Sequence, residues 1–181
     1  MKNVILHLNN INIMLYLIGF MGAGKTTIGK QIAAYHNYNF IDTDRKIEEI
    51  TGKNISDIFQ EDGESYFRQL ETSILKEISP RDIVSCGGGL PIYNNNMRFI
   101  NDSGVSIYLK ASEETIFDRL YKKPNNRILI RNKSKEELRI FIKSKLRERE
   151  NIYLKADYII ETSNLSEEDI LRKVNTLHLP F

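Results

Sequence analysis

The chain is short of several things, and each shortage closes off a class of protein. A single cysteine, Cys86, among 181 residues allows neither an internal disulfide nor a thiolate zinc site, and it fits a reducing compartment. The three histidines, His7, His36 and His178, have no ligand-like spacing. No charge of one sign dominates. The 26 basic residues against 24 acidic ones leave +2, whereas a general nucleic-acid binder carries a clear basic excess. No apolar run approaches the ~18 residues of a membrane span, so no membrane is expected as a partner. The first residues are interrupted by His7, Asn9, Asn10 and Asn12 and lack the apolar core of a signal peptide, which makes the cytoplasm the expected compartment. No stretch rich in Gly, Pro or Ser divides the chain. One domain over 14–181 is expected, with the asparagine-rich residues 1–13 as an N-terminal extension.

What is present is an ordinary globular composition, 41% apolar and 28% charged, that can bury a core without staples. Met14–Gly19 is a continuous apolar run that suits a strand buried on both faces. Further strands are expected at 39–41, 82–86, 105–110 and 157–161. Helices are expected at 24–36, 45–50, 55–60, 63–78, 94–101, 112–121, 134–153 and 166–177. Ser134 with Glu137, and Ser166 with Asp169, have the spacing of capping boxes, and Ser112 is a candidate N-cap. Five strands alternating with helices imply right-handed crossovers, a five-stranded parallel sheet and a three-layer α/β sandwich.

Gly19-Phe-Met-Gly-Ala-Gly24-Lys25-Thr26 fits G-x-x-x-x-G-K-[ST] at every fixed position, after a strand and before a helix, as a phosphate-binding P-loop requires. Its glycines let backbone N–H groups turn inward around an anion, and the helix N-terminus adds a positive dipole end. Gly22, Ala23, Gly24, Lys25, Thr26 and Thr27 are therefore expected to hold ATP. Lys25 reaches the β- and γ-phosphates, and the Thr26 hydroxyl is a ligand for Mg²⁺. The bland alternative is a glycine-rich turn with a surface lysine. A GTP switch is disfavoured, because Asn132-Lys133-Ser134-Lys135 lacks the aspartate of a base-recognition segment. The size favours a small-molecule kinase.

Asp42 and Asp44 follow the second strand, at the sheet edge where open α/β folds bind ligands. If the strand continued, alternation would send both to one side. Asp42 then suits a magnesium-bound water and Asp44 a substrate hydroxyl, as orienter or base. The alternative is that one of them caps the next helix.

On the helix from Gly63, Glu71 falls inside the apolar stripe of Phe67, Ile74, Leu75 and Ile78, with Arg68 at its edge. The two are i,i+3 neighbours and can pair. On the helix from Ser134, Arg149 lies in the middle of the face formed by Leu138, Ile142, Leu146 and Tyr153, while Arg147 points the opposite way. From Arg119 to Arg149 there are 12 basic and 3 acidic residues, a local +9 that leaves −7 for the rest of the chain. A lid over about 122–132, carrying Arg127, is expected to close on the nucleotide.

Taken in order, these pieces resemble the shikimate kinase family, over residue 14 to about 178. They are Gly22-Ala-Gly-Lys-Thr26, Asp42-Thr-Asp44, Gly63-Glu-Ser-Tyr-Phe-Arg68-Gln-Leu-Glu71, Gly87-Gly-Gly89, Arg127 and Arg149-Glu-Asn-Ile-Tyr153. The resemblance implies a P-loop fold of the nucleoside monophosphate kinase kind, with ATP and shikimate as substrates, Mg²⁺ as cofactor and a monomeric state. By position it implies that Asp44, Arg68, Gly88, Gly89 and Arg149 hold shikimate, with Glu71 fixing Arg68. Lys25, Asp44 and Arg127 are then the catalytic set, Thr26 and Asp42 the metal set, and Arg119 a neighbour of adenine. Two departures stand out. Arg127 is followed by Ile-Leu-Ile where the family has Pro-Leu-Leu, and Arg149 by Glu-Asn-Ile-Tyr where it has x-Pro-Leu-Tyr. A gluconate kinase of similar shape and a non-catalytic nucleotide-binding regulator are the rival readings. A substrate panel separates the first. Intact Lys25, Asp42 and Asp44 weigh against the second.

Overall fold

The computed structural model describes residues 14–122, 130 and 133–179. Leu15–Ile18 forms β1 and Lys25–His36 forms α1, followed by β2 at Asn39–Asp42. Three helices come next, α2 at Thr43–Thr51, α3 at Ile55–Glu61 and α4 at Gly63–Glu77. After β3 at Asp82–Ser85, a 3₁₀ turn at Leu90–Ile92 leads to α5 at Asn96–Ser103 and β4 at Val105–Lys110. The chain ends with α6 (Glu113–Lys122), α7 (Lys135–Tyr153), β5 (Tyr158–Glu161) and α8 (Glu167–Asn175).

The five strands are all parallel, in the order β2-β3-β1-β4-β5. β1 is wholly buried, and its alternation divides the interior in two. Leu15 and Leu17 join Ile28 and Ile32 of α1, Ile116 and Leu120 of α6 and Ile170 of α8. Tyr16 and Ile18 join Ile47 of α2, Ile58 of α3 and Phe67 and Leu75 of α4 on the other face. These are the two cores of the expected three-layer sandwich. Each fully buried aliphatic side chain contributes about 1.5–3 kcal/mol relative to exposure. A charge at residue 15 or 16 would break one core or the other.

α7 is seated in both cores: Leu138, Ile142 and Leu146 belong to the first, and Tyr153 to the second. Arg149 falls between these two sets. With Glu-Asn-Ile in place of a proline-bearing segment, nothing interrupts the helix, and it runs unbroken to Tyr153. Both expected capping boxes form, at Ser134–Glu137 and Ser166–Asp169. The Ser112 hydroxyl accepts from the Thr115 N–H at 3.2 Å.

Two helix starts, those of α2 and α5, differ from the sequence reading by two residues, and the others by one at most. The second strand does not continue past Asp42, because α2 begins at Thr43 with Asp42 as its N-cap, the side chain accepting from the Arg45 N–H. The alternation that would have aligned Asp42 with Asp44 therefore does not apply. The helix expected at 94–101 starts instead at Asn96. Asn94 and Asn95 are both left-handed (φ 52° and 58°), a conformation asparagine tolerates better than most residues.

From β1 the chain crosses to β2 and β3 on one side and later to β4 on the other. Such a reversal opens a crevice beyond the carboxyl ends of the strands. β1 and β3 both end there.

Candidate active site

The loop after β1 needs backbone conformations closed to most residues. Gly22 and Gly24 lie at φ 82° and 99°, where a Cβ is strained. The turn delivers the N-terminus of α1 to the crevice, with Ala23 buried and Thr26 and Thr27 exposed in the first turn. Lys25 is 8% exposed, and its Nζ donates to the carbonyls of Gly19 (2.8 Å) and Phe20 (2.9 Å). The ammonium is thus folded back over the cradle. Arg119 reaches across from α6, its Nη1 donating to the Gly22 carbonyl at 3.1 Å.

Asp42 and Asp44 both line the crevice, although by a different route from alternation. Asp42 does two jobs: it caps α2 and accepts from the Thr26 hydroxyl at 2.8 Å. Asp44 sits in the first turn of α2, one residue past Thr43. The fully buried Thr43 accepts from the Gly87 N–H at 2.8 Å and donates to the Ser85 carbonyl at 3.4 Å. That tie fixes the start of α2 against the end of β3, and so fixes Asp44 relative to the triple glycine.

Each of the three glycines faces a different functional side chain. A Cβ at Gly87 would overlap Asp44, one at Gly89 would overlap the Arg68 guanidinium, and one at Gly88 would lie 3.4 Å from Nη1 of Arg149. At Gly87 and Gly89 only hydrogen leaves room for the facing side chain, while at Gly88 a methyl would just touch Arg149 and anything larger would press on it. The strip is held from behind by Tyr153, whose hydroxyl donates to the Gly88 carbonyl at 2.5 Å. Burial pushes that phenol up to about 12, so it remains a donor at neutral pH.

Arg68 is built into α4 on two carboxylates. Its Nη1 donates to Glu71 at 2.7 Å, and its Nε and Nη2 donate to one oxygen of Glu64 at 3.2 and 2.9 Å. These bonds use three of the five guanidinium N–H groups, and a planar carboxylate takes two. Glu71 is 1% exposed. Burial raises its carboxyl to about 7; Arg68 acts in the opposite direction, and nearby Asp44 adds to the rise. Glu64, outside the expected site set, is a second partner. Its i,i+4 spacing to Arg68 was the available signal, and the arginine holds its carboxyl below the ordinary range.

Arg149 is 6% exposed, while Arg147 is exposed, as the helical face predicted. Its Nε is buried and has no hydrogen-bond partner. A buried cation with an orphaned donor is costly, and such a site is completed by an anion. The guanidinium also lies 5.8 Å over the Phe20 ring. Lys25, Thr26, Asp42, Asp44, Arg68, Glu71, Gly87–Gly89 and Arg149 all border one cavity of about 950 Å³. The expected lid residue Arg127 lies outside the described residues.

The cavity is thus bordered by the glycine-rich turn after β1 and by two arginines, and the chain that forms it is similar to known proteins. A profile described as shikimate kinase matches residues 21–178. The shikimate kinase of Thermodesulfovibrio yellowstonii is 41% identical over 160 residues, which cover 87% of this chain and 90% of that one. The crystal structure of shikimate kinase from Bacteroides thetaiotaomicron superposes with a TM-score of 0.87 at 34% identity, over 92% of this chain and 98% of that one. A structure of the Acinetobacter baumannii enzyme in complex with shikimate gives 0.84 at 34% identity, over 92% and 93%. With the P-loop, the paired acids, the glycine strip and both arginines in one crevice, the chain belongs to the shikimate kinase family.

Proposed function

We propose that the cavity binds ATP at the Gly22–Thr27 cradle and shikimate between Asp44, Arg68, Gly88, Gly89 and Arg149, and that the chain transfers the γ-phosphoryl of ATP to the 3-hydroxyl of shikimate. The observation that carries this assignment is Arg149. Its buried, partly orphaned guanidinium shares a cavity with Arg68, and two forks at one site suit a planar carboxylate.

The reaction is an in-line displacement. The 3-oxygen bonds to the γ-phosphorus, the bond to the β–γ bridging oxygen breaks, and ADP leaves. Asp44, two residues past the Asp42 cap in the first turn of α2, orients the hydroxyl and accepts its proton. Lys25 moves from the Gly19 and Phe20 carbonyls to the β- and γ-phosphates. Positioning and charge neutralisation supply most of the rate in such transfers. Glu71 and Glu64 hold Arg68 in place. Arg127 is assigned to the phosphate charge and Arg119 to the edge of the adenine subsite.

Mg²⁺ would be held by Thr26 and Asp42. The Thr26 hydroxyl and Asp42 carboxylate, 2.8 Å apart, fit a small hard cation that takes few protein oxygens and keeps phosphate and water ligands. Among the described residues no cluster of three or more His, Cys, Asp or Glu offers another metal site. When bound, the ion neutralises charge on the β- and γ-phosphate oxygens. No helix among the described residues is long and apolar enough to cross a membrane, and we place the reaction in the cytoplasm, carried out by a monomer.

The test is ADP release by the purified chain with ATP and Mg²⁺, with and without shikimate. Shikimate-dependent turnover is expected, and its absence would overturn the assignment. Repeating the assay with the metal chelated checks the magnesium requirement.

A further inference from the structure

Arg68 has a third constraint. Glu64 and Glu71 hold the edges of its guanidinium, but neither limits motion perpendicular to the plane. The Tyr93 ring does. It lies 4.0 Å from the guanidinium carbon, closer than Phe67 at 5.2 Å or Phe59 at 5.9 Å. Tyr93 does not border the cavity, whereas Arg68, Phe59 and Phe67 do. The Tyr93 side chain also hydrogen-bonds to Glu64, so an effect of Tyr93 on substrate passes through Arg68, either directly or by way of the carboxylate that holds it.

The backbone around Tyr93 is fixed to α4, the helix that carries Arg68. The Asn94 side chain donates to the Arg68 carbonyl at 3.2 Å and to the Thr72 hydroxyl at 3.0 Å. The left-handed turn at Asn94 and Asn95 makes this docking possible, and α5 starts only after it. The 3₁₀ turn before Tyr93 follows directly from Gly89, whose missing Cβ admits the same guanidinium. One segment, Gly89 to Asn94, thus leaves room for Arg68 at its start and covers its face at its end.

We propose that Tyr93 is a positioning residue for shikimate recognition. It stacks on the Arg68 guanidinium and keeps the two remaining N–H groups aimed at the substrate carboxylate. This rests on the assignment of Arg68 to that carboxylate. Without the ring, binding has to order a long cationic side chain, a cost typical of immobilising one rotamer-rich group. The attraction of a guanidinium for a ring face is of the same size.

The experiment measures KM for shikimate, KM for ATP, kcat and melting temperature for Tyr93→Ala, Tyr93→Leu and Tyr93→Phe, each also on an Arg68→Ala background. Tyr93→Ala is expected to raise the shikimate KM about fivefold, which is about 1 kcal/mol. ATP KM and kcat are expected to stay within about twofold of wild type. Tyr93→Phe, which keeps the ring and loses only the hydroxyl's bond to Glu64, brings the shikimate KM back to within about twofold of wild type. Tyr93→Leu, which keeps bulk without a π face, restores the melting temperature but not the KM. On the Arg68→Ala background, replacing Tyr93 has no further effect. The proposal fails if Tyr93→Ala leaves the shikimate KM unchanged, if both KM values rise together, if leucine rescues as well as phenylalanine, or if the two substitutions are additive. If Arg68→Ala alone leaves the shikimate KM unchanged, the carboxylate assignment itself has failed, a different result from any involving Tyr93.

Discussion

Arg149→Met is predicted to move binding and stability in opposite directions. Methionine is close to arginine in length and has no polar atom to orphan. In the unliganded protein the substitution removes a buried donor without a partner, which costs about 1–3 kcal/mol where it occurs. Against that stand the lost contact with the Phe20 ring at 5.8 Å, about 0.5–1 kcal/mol, and the lost interactions of Arg149 with buried Glu71 and with the Tyr153 hydroxyl. The balance is a gain of at most about 1 kcal/mol, which for a chain of this length raises Tm by no more than roughly 2–4 °C. Binding goes the other way. Charge-assisted hydrogen bonds contribute about 1.5–3 kcal/mol, so the shikimate Kd should rise roughly 10- to 150-fold. Scanning calorimetry and a shikimate titration of the same preparation read both quantities. Arg147→Met on the exposed face is the control and should change neither. A lower Tm together with an unchanged shikimate Kd would refute the view that Arg149 is held for an absent anion.

Three other perturbations probe separate parts of the site. Gly89→Ala forces a Cβ against the Arg68 guanidinium; the shikimate KM should rise about tenfold or more while the ATP KM stays near wild type, and equal rises would refute the close-approach argument. Asp42→Asn keeps an acceptor that caps α2 but loses the charge beside Thr26. Melting temperature should therefore change little while the Mg²⁺ concentration for half-maximal rate rises, and an unchanged magnesium curve would dismiss Asp42 as part of the ion site. The third concerns pH. Burial lifts the Glu71 carboxyl from 4.5 to about 7, so the folded state binds that proton more tightly than the unfolded chain. The resulting stability is complete below about 4.5 and is lost as pH rises through about 7. The Tm of Glu71→Gln minus that of wild type should therefore become more positive from pH 5 to pH 8. A difference independent of pH would mean that Glu71 stays charged throughout.

Local periodicity carried much of this architecture. The run at Met14–Gly19 encodes a strand with two buried faces because both faces are apolar, and the 100° step of a helix is enough to separate Arg149 from Arg147. The same step places Glu71 among Phe67, Ile74 and Leu75. What escaped was set by contacts between distant residues or by caps. Asp42 and Asp44 appear strand-like in spacing, but the Asp42 side chain closes the strand by accepting from Arg45. Thr43 has no local mark of importance, since its partners, Ser85 and Gly87, lie more than 40 residues away. Tyr153 looks like core, and its role as donor to Gly88 exists only once α7 reaches the second core. Asn94 and Asn95 are turn formers whose left-handed geometry shifted a helix by two residues. Glu64 was within reach of an i,i+4 argument, but an exposed acid on a helix seldom singles itself out.

The glycine strip also bears on how the protein could evade an inhibitor. A ligand resting on Gly87, Gly88 and Gly89 would touch backbone that carries no side chain to exchange. The escape route open to most pockets, a larger residue that shuts the ligand out, would here push against Asp44, Arg149 or Arg68 in turn. Resistance at this strip would therefore cost the substrate its own site.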